Sequence, residues 1–305
     1  MDLVSSKSGR SGCVSVLMPC RNALSFLQAA VQSVIEQPEC LELLVADGGS
    51  TDGSLELLES LASGDPRVRI VSRADRGPAA ALNQAFNQAR GTLIGWLNAD
   101  DLYPSGSLAR AVAALRSHED WLMVYGEGQE FDERTGETRP YPTLPATAGL
   151  DGFRSHCFIC QPSVLFRRSM AVMLGPFDER LRTAFDFDYW LRAFAAFPER
   201  IGYLPELQGL TRLHGGTITS LQRADVALEA TQLLARSFGS ADAVRLHGYA
   251  LELQQGIAAL PAGQTLQSHL RALFSQAEAW LDPGALSQLR TSWLAGDGGC
   301  RDPTA

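Results

Sequence analysis

Lysine is all but missing from this chain. Of its 26 basic residues only Lys7 is a lysine, which puts Schiff-base chemistry and the phosphate-gripping lysine of a P-loop out of reach. Cationic work falls to arginine. Positive charge is also in deficit, 34 acidic side chains against 26 basic for a net charge of −8, which argues against nucleic acid as the main partner. No run of about 18 apolar residues is present, and the first residues lack the basic-then-apolar pattern of an export signal. The expectation is a cytoplasmic protein without a transmembrane segment, at most peripheral at the inner face of a membrane. Six cysteines are scattered at positions 13, 20, 40, 157, 160 and 300. The single Cys157-x-x-Cys160 has no second pair at zinc-site spacing, so reduced thiols are expected. Neither GxGxxG nor GxxxxGK[ST] occurs, and the dinucleotide and P-loop readings fail with them.

Apolar content, in contrast, is ample at 45%, enough for one large α/β domain or two modest ones. The most informative stretch is Leu93 to Pro104, LIGWLNADDLYP. An apolar run of strand length empties into Asn98, Asp100 and Asp101, and a helix-like segment follows Pro104. In an open α/β sheet ligands bind at the carboxyl ends of strands. Adjacent carboxylates repel unless they are solvated or shared with a cation, and hard cations such as Mg²⁺ or Mn²⁺ prefer oxygen ligands. A solvated turn with an Asp cap on the next helix fits these twelve residues equally well.

The same alternation precedes it. Strands are predicted at Val14 to Met18, Leu41 to Ala46 and Val68 to Val71, and helices at Ser25 to Ile35, Leu55 to Leu61 and Ala79 to Ala89. Strand-helix alternation means βαβ units and a parallel sheet. Three of the first four strands end in loops bearing Asp47, Asp75 and Asp100, which parallel strands bring to one edge. Further on, Trp121 to Gly126, Val164 to Arg167, Tyr203 to Pro205 and Leu210 to Leu213 read as strands. Asp186 and Asp188 fall in the first turn of an aromatic-rich helix that stops before Pro198, where the dipole favours carboxylates even without function. After residue 220, helical patterns run over Ala224 to Phe238, Ala241 to Leu260 and Leu266 to Leu281.

Four blocks, VSVLMPCRNALSFLQAAVQSVIEQ, LELLVADGGSTDGS, RADRGPAAALNQAFNQARGTLIGWLNADD and FDERLRTAFDFDYWLRA, stand in the order and spacing of the family 2 glycosyltransferases, which they resemble over residues 13 to 220. The resemblance implies a GT-A fold, a nucleotide-diphosphate-sugar donor, a divalent metal (Mn²⁺ or Mg²⁺) and inversion at the anomeric carbon. It assigns Pro19, Asp47 and Asp75 to the nucleoside, Asp100 to the metal and Asp186 to general-base catalysis. Arg212-x-His214 resembles the block that closes over the diphosphate, with Arg212 on phosphate and His214 on the metal. The acceptor is expected to be a glycan, a lipid-linked glycan or another hydroxyl compound.

Three departures stand out. The nucleoside loop reads Asp47-Gly48-Gly49-Ser50 where the family often has Asp-Asp-Gly-Ser. The Asp-x-Asp metal motif is Asn98-x-Asp100, so Asn98 is left to touch a ribose hydroxyl or the metal through its carbonyl, and metal binding leans on Asp100, Asp101 and the diphosphate. Finally, Phe185 precedes Asp186 where the family has Glu, an apolar neighbour that tends to raise the pKa of Asp186.

The sequence therefore divides into a disordered start at 1–12, a GT-A domain at 13–220, a helical extension at 221–295 and a disordered tail at 296–305. The extension is a candidate for covering the acceptor cleft, docking a partner or forming a homodimer. A sugar-1-phosphate nucleotidyltransferase and a non-catalytic nucleotide-sugar or glycan-binding protein are the rival readings.

Overall fold

The computed structural model describes residues 13–72 and 77–294. Asp75 and the expected disordered ends at 1–12 and 296–305 lie outside the described residues. The chain alternates β1 (Val14–Cys20), α1 (Leu24–Ile35), β2 (Cys40–Asp47), α2 (Ser54–Gly64), β3 (Val68–Ser72), α3 (Pro78–Gln88), β4 (Leu93–Trp96) and α4 (Ser107–Ser117). There follow β5 (Met123–Asp132), β6 (Thr138–Pro140), β7 (Leu165–Arg167), α5 (Arg168–Leu174), α6 (Phe185–Ala196) and β8 (Ile201–Leu213). The last elements are α7 (Ile218–Leu221), α8 (Arg223–Phe238), α9 (Val244–Gln254), α10 (Leu266–Ala277) and α11 (Pro283–Leu294).

One sheet carries all eight strands in the order β3-β2-β1-β4-β7-β5-β6, with β8 also paired to β5. Strands β1 to β4 are parallel, as the alternation predicts. The apolar runs of β1, β2 and β4 are buried almost throughout, as expected of strands covered on both faces, whereas Ile70 and Val71 of the edge strand β3 are half-buried. Beyond β4 the sheet turns mixed. Strand β7 runs antiparallel to both β4 and β5, and β8 is parallel to β5. The two short strands expected at Tyr203 to Pro205 and Leu210 to Leu213 are one long strand. Pro205 has no N–H for a ladder, and the pairing accordingly steps from Leu204↔Gly126 to Leu207↔Glu127 and skips Pro205 and Glu206.

At the opposite end of the strands from the ligand-binding edge sits a charge that the sequence pattern conceals. Glu42 is fully buried in β2 and accepts hydrogen bonds from the Ser15 hydroxyl at 2.7 Å, the Arg90 N–H at 2.7 Å and the Arg69 guanidinium at 2.6 Å. Burial alone would raise its pKa, but these partners hold the carboxyl down at about 2. The charge is compensated, and removing a partner from such a site typically costs about 3–5 kcal/mol.

The described chain forms two compact units. The first comprises residues up to Gly149, Phe158–Arg180 and Arg192–Leu213, and it contains the whole sheet. The second comprises Leu150–Cys157, Leu181–Leu191 and the chain from His214 onward. Its start at His214 differs from the boundary expected at 221, and two segments from within residues 13–220 join it. Helices α8 to α11 bury Leu233, Leu246, Leu270, Phe274 and Leu289. Helix α9 is shorter than the predicted 241–260, and α11 is additional to the predicted helices. Pro283 reads as punctuation in the sequence, whereas a proline suits the first turn of a helix, where its missing N–H costs nothing. Among the described residues no helix is long and apolar enough to cross a membrane.

Candidate active site

The carboxyl ends of β2, β1 and β4 stand side by side, with Cys20 opposite Asp47, Pro19 opposite Ala46 and Leu17 opposite Trp96. Asp47 is fully buried and turns back on its own loop. Its Oδ2 accepts the N–H groups of Gly49 and Ser50, both at 3.0 Å, and its Oδ1 takes the Ser50 hydroxyl. Gly49 sits at φ +79°, a conformation that a side chain would resist, which accounts for the second glycine of the loop. The carboxylate that the resemblance gives to the nucleoside is thus committed to shaping the loop that would meet it. Asp52 ties this loop to the next by accepting from Leu24 N–H at 3.0 Å and the Ser54 hydroxyl at 2.6 Å, and Asn22 accepts from Thr51 N–H at 2.8 Å. Beneath the loop, burial, helped by the charges of Asp47 and Asp52, pushes the Cys20 thiol up to about 12, so it stays protonated and unreactive.

After β4 the chain makes a second closed set of contacts. The Asn98 side-chain oxygen accepts the Trp96 indole N–H at 3.0 Å, and its nitrogen donates to Asp101 Oδ2 at 3.1 Å. Asp101 is 3% exposed, and its Oδ1 accepts the Arg212 N–H at 3.0 Å. Burial, with the neighbouring Asp100 charge adding to it, pushes the Asp101 carboxyl up. Both residues foreseen for ribose or metal are thus already engaged by protein donors. The Asn98 carbonyl faces an indole, and both Asp101 oxygens already accept from protein N–H groups. The arrangement also gives a reason for asparagine in place of the first aspartate of the metal motif: at 98 a donor is needed against the buried Asp101. Asn98→Asp should lower stability at pH 7 by about 1–3 kcal/mol through like-charge repulsion and the lost hydrogen bond. Thermal melts should show the deficit shrinking as pH falls and Asp101 protonates; an Asn98→Asp protein as stable as the wild type at pH 7 would refute this account of the motif.

Strand β8 brings in the arginine. Leu102 and Leu210 exchange backbone hydrogen bonds at 2.9 and 3.0 Å. Arg212 then donates through Nε to the Asp100 carbonyl at 2.9 Å and through Nη1 to Glu133 at 2.7 Å, with its guanidinium over the Phe26 and Phe131 rings. With an amide at position 98 and Asp101 buried, the more exposed carboxylate of this group is that of half-buried Asp100. Sequence separation hides Glu133 and Phe131; only the pairing of β5 with β8 reveals them.

In the second unit, Asp186 and Asp188 open α6 and have different surroundings. Asp188 is 3% exposed and lies 3.8 Å from the Arg236 guanidinium of α8. Asp186 is half-buried, and its Oδ1 accepts the Phe187 N–H at 2.7 Å. Burial is the main cause that raises its carboxyl to about 6, with Glu229 adding to the rise. A carboxylate poised near neutrality is suited to accept a proton. His214 Nδ1 accepts the Gly216 N–H at 3.2 Å, which in the neutral ring leaves the proton on Nε2. Ligation through Nε2 requires that this loop contact give way. Among the described residues no three His, Cys, Asp or Glu side chains are gathered to hold a metal.

The model of glycosyl transferase family 2 matches residues 15–173. The chain belongs to that family. A PGL/p-HBAD biosynthesis glycosyltransferase of Mycobacterium bovis is 31% identical over 187 residues, spanning 59% of this chain and 69% of that protein. Among solved structures, Staphylococcus aureus TarS 1–349 in complex with UDP-GlcNAc superposes with a TM-score of 0.62 at 18% identity, over 90% of this chain and 83% of that one. The mannosyltransferase PcManGT of Pyrobaculum calidifontis, in complex with GDP-Man and Mn²⁺, gives 0.59 at 20% identity over 93% and 80%. These likenesses establish the GT-A fold. This glycosyltransferase, like its family, is an inverting enzyme, and transfer displaces the nucleotidyltransferase and non-catalytic readings.

Proposed function

We propose that this family 2 glycosyltransferase takes a sugar from a nucleotide-diphosphate-sugar, a UDP-hexose by default, and passes it to a hydroxyl of a glycan or lipid-linked glycan in bacterial surface-polysaccharide or glycoconjugate synthesis. The observation that carries the donor half is the closed set after β4, where the Arg212 guanidinium from β8 is held by the Asp100 carbonyl and the Arg212 N–H donates to the Asp101 carboxylate. The donor set suits a hard cation. Mg²⁺ and Mn²⁺ commonly take one or two carboxylates and complete their shell with water and phosphate oxygens, so Asp100 is the residue that would hold the ion, with His214 as a further ligand when its loop contact opens. Bound there, the metal would supply charge to the leaving diphosphate.

The protein's own groups account for the rest. Arg212, fixed at Nε by the Asp100 carbonyl, offers guanidinium N–H groups to phosphate oxygens and stabilises the charge that develops as the glycosidic bond breaks. Asp186 accepts the proton of the acceptor hydroxyl while that oxygen bonds to the anomeric carbon, and the nucleoside diphosphate departs with the bonding pair from the opposite face. One displacement inverts the centre. Pro19, with the loops of Asp47 and Asp75, is assigned to the nucleoside.

Thermal-shift titration against a panel of nucleotide-sugars, with and without Mn²⁺, tests the donor half. A true donor at 100 times its dissociation constant should stabilise the protein by about 2.7 kcal/mol, in the presence of metal. Equal melting temperatures across the whole panel would reject the proposed donor class.

A further inference from the structure

The family's glutamate before the catalytic aspartate is replaced here by Phe185, yet a carboxylate does reach the same turn from elsewhere in the chain. Glu229 on α8 accepts the Arg182 N–H at Oε1 and the Thr183 N–H, the Ala184 N–H and the Thr183 hydroxyl at Oε2, at 2.9, 2.9, 2.9 and 2.7 Å. Ala184 is the residue whose carbonyl accepts the first bond of α6, from Asp188 N–H at 3.0 Å. The three backbone donors thus lie immediately before the helix, and Asp186 follows two residues later. Three consecutive N–H groups converging on one carboxylate fix the course of the chain as it enters the helix, which sets where the Asp186 side chain starts.

We infer that Glu229 is the positioning residue for the general base: a carboxylate from the C-terminal helices replaces, through space, the one missing at position 185. The inference rests on the assignment of Asp186 as base. It also gives part of the C-terminal region a place in the reaction, since α8 then belongs to the catalytic apparatus.

The geometry makes the role more than a helix cap. Glu229 is half-buried, and burial works against its charge, but the hydrogen bonds from Arg182, Ala184 and Thr183 outweigh that and hold its carboxyl below the ordinary range. It is therefore an anion whenever Asp186 is titrating. The charged groups about this turn include Glu229, Arg182, Asp188 with its partner Arg236, and Arg245, whose guanidinium lies 5.1 Å over the Phe187 ring. Of these Glu229 is the one that raises the Asp186 carboxyl, so the same residue that orients the base also makes it more basic.

Glu229→Ala and Glu229→Gln, read beside Asp186→Asn, test the inference. In Glu229→Ala the turn loses its anchor, and turnover should fall by about 10- to 100-fold, the cost of a base displaced by about an ångström. Donor dissociation constant and donor KM should stay within about two-fold. Glutamine keeps an accepting oxygen without the charge, so Glu229→Gln should recover much of the turnover while its acid limb moves to lower pH. If Glu229→Ala does not fold, the glutamine variant decides alone. Turnover within about two-fold of wild type in the alanine variant, or an unmoved acid limb in the glutamine variant, would overturn the role. Should Asp186→Asn itself retain wild-type turnover, the base assignment has failed, a result that is distinct from normal Glu229 variants alongside an inactive Asp186→Asn.

Discussion

Asp186→Asn should reduce turnover by about 10²–10⁴-fold, the usual worth of general-base catalysis, while leaving donor affinity within a few-fold. Asparagine keeps the shape and the Phe187 N–H contact but cannot take a proton. The pH dependence carries the same signature. With a carboxyl raised to about 6 by burial, wild-type turnover should fall on an acid limb near that pH and be full above it. Stability should move the other way. A carboxyl whose folded pKa lies above its unfolded value near 3.9 binds its proton more tightly in the folded state, so stability declines as pH rises from about 4 to 6 and stays reduced above that. Asp186→Asn should therefore stabilise the protein at pH 7 to 8, by on the order of 1–2 kcal/mol once solvent screening of the half-buried carboxyl is allowed for, and so raise its melting temperature, with the gain vanishing below about pH 4. Asp188→Asn serves as the contrast. It removes a buried charge facing Arg236 and should lower stability. An active, stabilised Asp186→Asn beside an inactive Asp188→Asn would move the base by two residues.

The second large effect concerns Asp100. Asp100→Ala should weaken donor binding by about 10- to 100-fold in the presence of Mn²⁺ and remove the metal dependence of that binding, because water and phosphate would be left as the cation's main ligands. Calorimetric titration with and without Mn²⁺ would measure both. His214→Ala, if the ring joins the metal once its Gly216 contact opens, should give a smaller loss in the same direction. A metal response in Asp100→Ala equal to that of the wild type would remove Asp100 from the site.

How much of this is legible in the sequence follows from the range of the forces involved. Strands β1 to β4 and their helices are readable because each is a local pattern, an apolar run of period two or a helical stripe, closed by glycine, proline or aspartate. The mixed half of the sheet is not. Strand β7 is three residues long and gains its place only by pairing with β4 and β5, and the skip at Pro205 is decided by the partner strand. At the site, residue types are visible but their commitments are not. Asp47, Asn98 and Asp101 look alike in sequence as open polar groups, yet each is engaged by backbone or side-chain donors. Glu229 gives no signal, since it sits in an ordinary amphipathic helix and its partners are more than 40 residues away.

Slow hydrolysis of the donor, with water in place of the acceptor hydroxyl, offers the most direct measurement, because it needs no knowledge of the acceptor. The purified protein is incubated with Mn²⁺ and the nucleotide-sugar selected by thermal shift, and the products are followed by proton NMR before the free sugar mutarotates. Nucleoside diphosphate should appear together with the sugar of inverted anomeric configuration, and Asp186→Asn should abolish both signals. Sugar released first with retained configuration, or hydrolysis undiminished in Asp186→Asn, would contradict a single displacement with Asp186 as its base.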